Sequence, residues 1–361
     1  MSLTTLKMLS ICLASALFIV PSYAKEGTPG LKIEKINNSG YREKLRLQLF
    51  KKAPTIPACK MMKTHPTGKV DNAGAELNSF LALILKSLKE KDHKTLTSLF
   101  HKRLKVNKFV IKEAMMSLDN TYVPPLDITL FKLWALNTVD GTPKPLGCGE
   151  RFNIYPLYGY NLQFGVWLQV MGQKELGRIY LGLVPTEGRW NIGSFHKQQW
   201  THDGKDFISW TENATKTART GDKMAAWVFY DLATKLLDGG GFLDMGIKKE
   251  IEEARNSLMT REEWDHNIKP ALKEWDVGYL GTLFVNNGAG ILVRLKTKKE
   301  VFDKKITTIC KKVGEAIMTL PWTRHMQGVR CSFVLPKENP KKEGFLGGVY
   351  LSFDEIKTKM K

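Results

Sequence analysis

The chain has 361 residues, of which 43% are hydrophobic, so it is long and apolar enough to bury more than one core and is not a permanently disordered polymer. Its 55 Lys and Arg residues outnumber its 36 Asp and Glu residues, and the formal net charge is +19. A chain this basic is attracted to anionic surfaces such as lipid head groups, lipopolysaccharide, wall polymers or nucleic acid. The alternative is that the dispersed lysines only keep the chain in solution.

The first 24 residues indicate a secretory signal peptide. Lys7 precedes an apolar run at residues 8–20, and Ser22 and Ala24 fit a small-x-small cleavage site. Cys12 would suit a lipid-anchored leader, but Ile11 stands where such leaders carry a small residue. We expect cleavage after Ala24 and an exported protein, periplasmic or secreted. No later stretch is long and apolar enough to predict a membrane span.

Four cysteines follow the leader, and an even number in an oxidising compartment predicts disulfides. Three pairings are possible. We favour Cys59–Cys148 and Cys310–Cys331, because Cys310 lies on the apolar side of a predicted helix and Cys331 on the apolar side of a predicted strand. Two buried free thiols at 310 and 331 are the alternative. No Cys or His spacing is typical of zinc or redox sites, so neither a metal nor a cofactor is predicted.

Before residue 158 the chain alternates between helical and extended patterns. Residues 25–75 form a lead-in of uncertain structure. Apolar spacing predicts an amphipathic helix at 76–90, a second helix capped by Asp92, and a third near residue 110. Strands are predicted at 128–137 and 152–157.

Residues 158–200 predict three antiparallel strands joined by short turns. In the first strand, polar or amphipathic residues alternate with apolar ones, which indicates a sheet with one covered face. The two sets are Asn161, Gln163, Trp167 and Gln169 against Leu162, Phe164, Val166, Leu168 and Val170.

The order of these elements has a counterpart in a known family. A long amphipathic helix is followed by Lys-Glu-Lys-Asp-His at 89–93, a second helix, and a meander that closes on Gly-Arg-Trp-Asn-Ile at 188–192. Residues 76–200 thereby resemble the NTF2-like (cystatin-like) α+β cone. The resemblance implies a curved sheet wrapped around a helix, with a pocket at the open end. Enzymes, small-ligand binders and assembly proteins all occur in that family, so the resemblance does not choose a role.

The remainder predicts a helical hairpin at 206–237, which resembles a single tetratricopeptide unit, a glycine-rich hinge at 238–241, and a capped helix after Thr260. From residue 277 the pattern is ββαββ. The predicted class is α+β: an NTF2-like cone, a helical connector and a small ββαββ domain. The predicted divisions are 1–24 (signal peptide), 25–75 (lead-in), 76–208 (cone), 209–275 (connector) and 276–361 (ββαββ).

Two groups of residues are candidates for a site. Tyr158, Tyr160, Trp167, Trp190 and His196 are candidates for lining a ligand pocket at the mouth of the cone. His196, His202 and Asp203 are weak candidates for general acid–base chemistry, because a histidine near carboxylates can act as a base. Structural roles at the strand ends are the alternative for both groups.

These observations favour an exported, non-enzymatic binding or accessory protein of the cell envelope, whose partner is an anionic envelope surface, a small ligand or another protein. The second hypothesis is an enzyme that uses the cone pocket for proton transfer or hydrolysis around His196 and Tyr160. Nucleic-acid binding is disfavoured, because the sequence shows no continuous basic stripe with interleaved aromatic residues.

Overall fold

A computed structural model describes residues 59–66, 68–104, 111–112, 127–138, 144–148, 152–173, 175–186, 188–285, 288–336 and 344–358. The predicted signal peptide, most of the lead-in and most of the predicted third helix lie outside these ranges. The fold is α+β with mainly antiparallel sheets. The chain divides into two compact units, Met1–Trp200 with Asp238–Ile247, and Thr201–Leu237 with Lys248–Lys361.

The first unit contains a five-stranded antiparallel sheet in the order β1-β2-β5-β6-β7 and a small sheet in the order β3-β4-β8. The long amphipathic helix and the capped second helix are both present, and Asp92 accepts a hydrogen bond from the backbone N–H of Thr95 as predicted. The elements are β1 (Cys59–Met62), α1 (Ala75–Lys89), α2 (His93–Ser98), β2 (Asp127–Asn137), β3 (Leu146–Gly147), β4 (Phe152–Ile154), β5 (Leu162–Met171), β6 (Leu176–Thr186), β7 (Arg189–Gln199) and β8 (Leu243–Met245).

One face of the large sheet packs against α1, and we call it the helix face. Its side chains alternate along each strand with those of the other face, as the period of two requires. The stripe of α1 and the inward residues of all five strands form one buried apolar core. Representative members are Leu77, Leu81, Leu133, Val166, Leu181 and Phe195.

The expectation of a single covered face is wrong. On the opposite face Gln163, Trp167 and Tyr180 are at most 5% exposed. The segment around β4 and the loop before β8 cover them, and Phe152 contacts the ring of Trp167 at a centroid distance of 6.3 Å. The middle of this face is therefore buried as well, so the alternation along β5 separates two buried sets of side chains there.

A β-bulge also changes which side chains of β7 share a face. Leu183 pairs with Ile192 and Gly182 pairs with Ser194, so Gly193 is the extra residue. The bulge moves every later residue of the strand by one position. Trp190 and Ile192 lie in the helix-face core, whereas His196 pairs with Tyr180 on the opposite face. The prediction that His196 shares a face with Trp190 and Ile192 is therefore wrong.

The second unit contains a helical hairpin and a four-stranded sheet in the order β12-β11-β10-β9. The β10–β11 pair is parallel, because the long helix α7 connects these strands as a crossover. The elements are α3 (Phe207–Arg219), α4 (Lys223–Leu236), α5 (Gly246–Leu258, whose first two residues belong to the first unit), α6 (Arg261–Ile268), β9 (Val277–Val285), β10 (Gly288–Lys296), α7 (Lys299–Met318), β11 (Gly328–Leu335), β12 (Gly344–Ser352) and α8 (Phe353–Thr358).

Side chains cover the outer edge of β9, which would otherwise present unpaired backbone groups. Lys235 donates to the carbonyl oxygen of Thr282, and Arg261 donates to that of Leu280. The predicted capping box at Thr260 is present and opens α6. Strands β1, β3 and β8 and helices α5 and α8 were not predicted from the sequence.

Both favoured disulfides form. Cys59–Cys148 links β1 to the residue after β3, across a separation of 89 residues. Cys310–Cys331 links α7 to β11, across 21 residues. Each bond lies within one unit. Among the described helices, none combines the length and the apolar character that a membrane crossing requires.

Candidate functional site

A cavity of about 490 Å³ opens in the first unit between α1 and the turn that leads into β7. This volume lies within the range of ordinary small-molecule sites. Three pieces of chain form it: the first half of α1, the end of α2, and the start of β7. The lining residues are Ala75, Glu76, Ser79, Phe80, Leu83, Ser98, Leu99, Gly188, Arg189, Trp190 and Asn191.

The apolar wall of the cavity comes from residues beside the buried stripe of α1. Phe80 is half-buried, and Leu83, one turn further along, remains 39% exposed. Leu99 lies across from them, where its carbonyl oxygen accepts the backbone N–H of Ile192 at 2.8 Å. This bond, with that from the N–H of His101 to the carbonyl oxygen of Ile192, fixes the end of α2 against β7.

Trp190 closes one side of the same cavity with a buried ring. It is 4% exposed, and its ring packs edge-on against Phe164 at a centroid distance of 5.1 Å. Its indole N–H is buried and donates to no atom of the described residues. That nitrogen has almost no surface open to solvent, so Trp190 contributes ring carbon atoms to the cavity wall.

Two opposite charges border the cavity. Glu76 lies in the first turn of α1, and Arg189 begins β7; both are exposed. Within the described part of the chain neither side chain forms an ion pair. Both charges are therefore available to a ligand that carries polar groups at its ends.

The predicted pocket residues do not come together in this cavity. Trp190 lines it. Tyr158 is 65% exposed at a turn, and the hydroxyl of Tyr160 lies 3.2 Å from Nε2 of His101. Trp167 and His196 lie on the opposite face of the sheet. Phe80, Leu83 and Leu99 were not predicted as site residues. Phe80 and Leu99 belong to the apolar patterns of the two predicted helices, which indicate packing rather than a site.

His196 lies in a closed cluster on that opposite face. Its ring is parallel to that of Tyr180 at 6.3 Å, and Gly240 packs so closely on it that a Cβ at 240 would lie 2.3 Å from the ring. Burial lowers the pKa of His196, and Asp238 opposes this shift. Burial also raises the pKa of Tyr180 above its usual value.

Arg178 completes this cluster and is fully buried. Its guanidinium lies 4.1 Å from the ring centroid of Trp200 and 5.8 Å from that of Trp167. Stacking between a guanidinium and indole rings is a favourable way to bury this cation. These buried side chains pack together as part of a structural core, and the loop at 238–241 packs on them.

His202 and Asp203 belong to the second unit. Nε2 of His202 lies 2.6 Å from the carbonyl oxygen of Val285, so that nitrogen carries the proton. Asp203 has a left-handed backbone and lies 3.8 Å from Nζ of Lys205. Both residues take part in the turn before α3.

Within the described residues, no group of three or more His, Cys, Asp or Glu side chains is arranged to hold a metal ion. No protein-family model, curated protein or solved structure matches the chain.

Proposed function

We propose that this chain is an exported, non-enzymatic binding protein of the cell envelope, and that the cavity between α1 and β7 is its ligand site. The observation that carries the proposal is the composition of the cavity: an apolar wall that includes the ring of Trp190, and two opposite charges at the mouth. Such a combination suits an amphipathic small molecule with an apolar body and a hydrogen-bond acceptor.

We further propose that the first unit is an NTF2-like cone and that β9 to β12 with α7 form a separate ββαββ domain. A long helix on one face of an antiparallel sheet supports the first assignment, as does a cavity beside the N-terminal end of that helix. The order strand–strand–helix–strand–strand supports the second.

Export is supported by the leader-like residues 1–24 and by two disulfides, which persist in oxidising compartments. The bacterial periplasm is the compartment that fits best. The high positive charge favours work at an anionic envelope surface.

Binding is favoured over catalysis by the chemistry of the lining. Among the described residues that line the cavity, Glu76 is the one carboxylic acid, and none is a histidine or a cysteine. The groups that the enzyme hypothesis needs are separated, since Tyr160 contacts His101 and His196 stacks on Tyr180.

The test uses 1-anilinonaphthalene-8-sulfonate, an apolar fluorophore with a sulfonate that can reach Arg189. We expect saturable binding to the purified protein, and loss of most of that binding in Leu83→Glu, which places a carboxylate on the apolar wall. Ala82→Glu is the matched control, because Ala82 is the exposed neighbour of Leu83 on α1 and lies outside the lining. Equal binding by both variants would refute the assignment of the cavity. Native mass spectrometry of the exported protein would then identify any ligand retained during purification.

A further inference from the structure

Three exposed apolar side chains lie on neighbouring strands of the first unit. Met61 is 61% exposed, Phe131 44% and Met171 38%. They belong to β1, β2 and β5, which are adjacent in the sheet. We call them the Met–Phe patch. Phe131 lies between the other two along the sheet, because Met61 pairs with Trp134 and Met171 pairs with Asp127. Exposed apolar side chains grouped on one face can mark an interaction surface.

The strand registers place this patch away from the helix face. Met61 pairs with Trp134, which lies on the opposite face. Met171 is four residues after Trp167 on β5, so their side chains lie on the same face. Phe131 occupies a bulge between Leu130 and Lys132, and its ring contacts that of Trp167 at 4.8 Å. The bulge therefore turns a large aromatic ring toward solvent while its inner edge stays fixed on a buried tryptophan.

A lysine accompanies the patch. The Nζ atom of Lys132 lies 4.4 Å from the ring centroid of Phe152, 5.3 Å from that of Phe131 and 5.7 Å from that of Trp167. Within the described chain this ammonium has no acidic partner. Such a cation adjoining exposed apolar side chains is complementary to a surface that is anionic outside and apolar beneath.

The nearby acidic charge is already neutralised. Among β1, β2 and β5 the acidic residue is Asp127, and it forms an ion pair with Lys89 at 2.9 Å. The charge that adjoins Phe131 is therefore the positive one of Lys132, in line with the net charge of +19 for the chain.

We propose that the Met–Phe patch docks the protein on an anionic phospholipid bilayer. Met61, Phe131 and Met171 enter the boundary between head groups and acyl chains, and Lys132 meets the phosphates. The inference rests on the proposed envelope location, but it does not use the ligand cavity.

The experiment measures partition of the exported protein to vesicles by co-sedimentation. Vesicles of phosphatidylcholine with one-third phosphatidylglycerol are compared with vesicles of phosphatidylcholine alone. We expect binding to the anionic vesicles that weakens at high salt. The double variant Met61→Ser/Phe131→Ser should lose at least roughly tenfold in partition, because it removes most of the exposed apolar surface. Lys132→Gln should lose about fivefold on anionic vesicles only.

Ile208→Ser is the matched control, because Ile208 is 51% exposed but lies in the second unit. It should bind like the unaltered protein. Unfolding curves verify that each variant is folded. Three results would overturn the proposal: no binding of the unaltered protein to anionic vesicles, undiminished binding by the double variant, or an equal loss in Ile208→Ser. Retention of vesicle binding by Leu83→Glu would separate this surface from the cavity, so failure of one proposal leaves the other standing.

Discussion

Gly165 and Gly182 face each other across β5 and β6, and the ring of Phe242 lies on both. Its Cζ atom is 3.1 Å from where a Cβ on Gly165 would lie, and its Cε2 atom is 3.4 Å from the corresponding point on Gly182. The absence of two side chains is what allows the loop before β8 to pack on this face. Gly193 makes similar room for Leu157.

Gly182→Val should therefore destabilise the first unit. The added side chain would meet Oγ of Ser194 at 2.6 Å, as well as Leu157 and Phe242. Overpacking of this kind costs roughly 1–3 kcal/mol in the free energy of unfolding. Urea denaturation followed by circular dichroism would measure it. Gly147→Val is the control, since no atom lies within 4 Å of the position that a Cβ would take there. Equal losses of stability in the two variants would show that crowding is not the cause.

The stability of the first unit should fall as pH drops below 6.5. Burial lowers the pKa of His196 from its usual value of 6.5, and the positive charges of Arg178 and Lys197 lower it further. Asp238 partly opposes this shift. Below pH 6.5 His196 binds a proton in the unfolded chain but not yet in the folded chain. The free energy of unfolding is therefore highest above pH 6.5 and decreases as the pH falls toward the folded pKa. Urea midpoints at pH 7.5 and pH 5.0 should differ more in the unaltered protein than in His196→Phe, which keeps a ring on Tyr180. Identical pH dependence in the two proteins would contradict this account.

Asp231→Ala should be among the most damaging single changes in the second unit. The carboxylate lies 2.6 Å from Nη1 of Arg255, 3.1 Å from Nζ of Lys235 and 2.5 Å from the hydroxyl of Thr282. Burial alone would raise the pKa of Asp231, but Lys235, Thr282 and Arg255 outweigh it and hold the pKa below 3.8.

Removing this carboxylate takes away the acidic group that Lys235 and Arg255 both contact. We expect the free energy of unfolding to fall by about 3–5 kcal/mol. Thermal or urea unfolding gives the value. Asp354→Ala is the comparison, because the Asp354 side chain is 91% exposed in its pair with Lys357, and its loss should change stability by less than about 0.5 kcal/mol. A small effect of Asp231→Ala would mean that the network contributes little.

The two disulfides should stabilise the protein unequally. Chain-entropy arguments assign roughly 4.6 kcal/mol to a closed loop of 89 residues and roughly 3.3 kcal/mol to one of 21. The double substitution Cys59→Ser/Cys148→Ser should therefore lower stability more than Cys310→Ser/Cys331→Ser. Each pair should affect the unit that contains it, which calorimetry with separately resolved transitions would show. The reverse order would indicate that native packing, rather than loop closure, sets the difference.

The sequence was informative wherever a single local rule decided the outcome. Apolar spacing located α1, side-chain capping located α2 and α6, and the apolar faces around Cys310 and Cys331 indicated their disulfide. Prediction from the sequence failed where the outcome depended on residues that are far away along the chain. Trp167 looked like an outward residue of a one-faced sheet, because nothing local shows that Phe152 packs against its ring.

The candidate site was harder to predict for the same reason. The bulge at Gly193 reversed the side on which His196 lies, and a single glycine in a strand does not reveal such a shift. Phe80 and Leu83 line the cavity only because the turn before β7 approaches α1. Their spacing is that of ordinary residues at the edge of a core.

The first unit is interrupted by residues 201–237, which belong to the second. A ribosome, or an export channel that passes the chain from its N-terminus, therefore delivers the first helical hairpin of the second unit before it delivers β8 and Phe242. Until residues 238–247 emerge, Gly165 and Gly182 lack the ring of Phe242, and His196 lacks the packing of Gly240. The nascent chain thus leaves part of this sheet face open during this interval, which is when a holding chaperone would have most to bind.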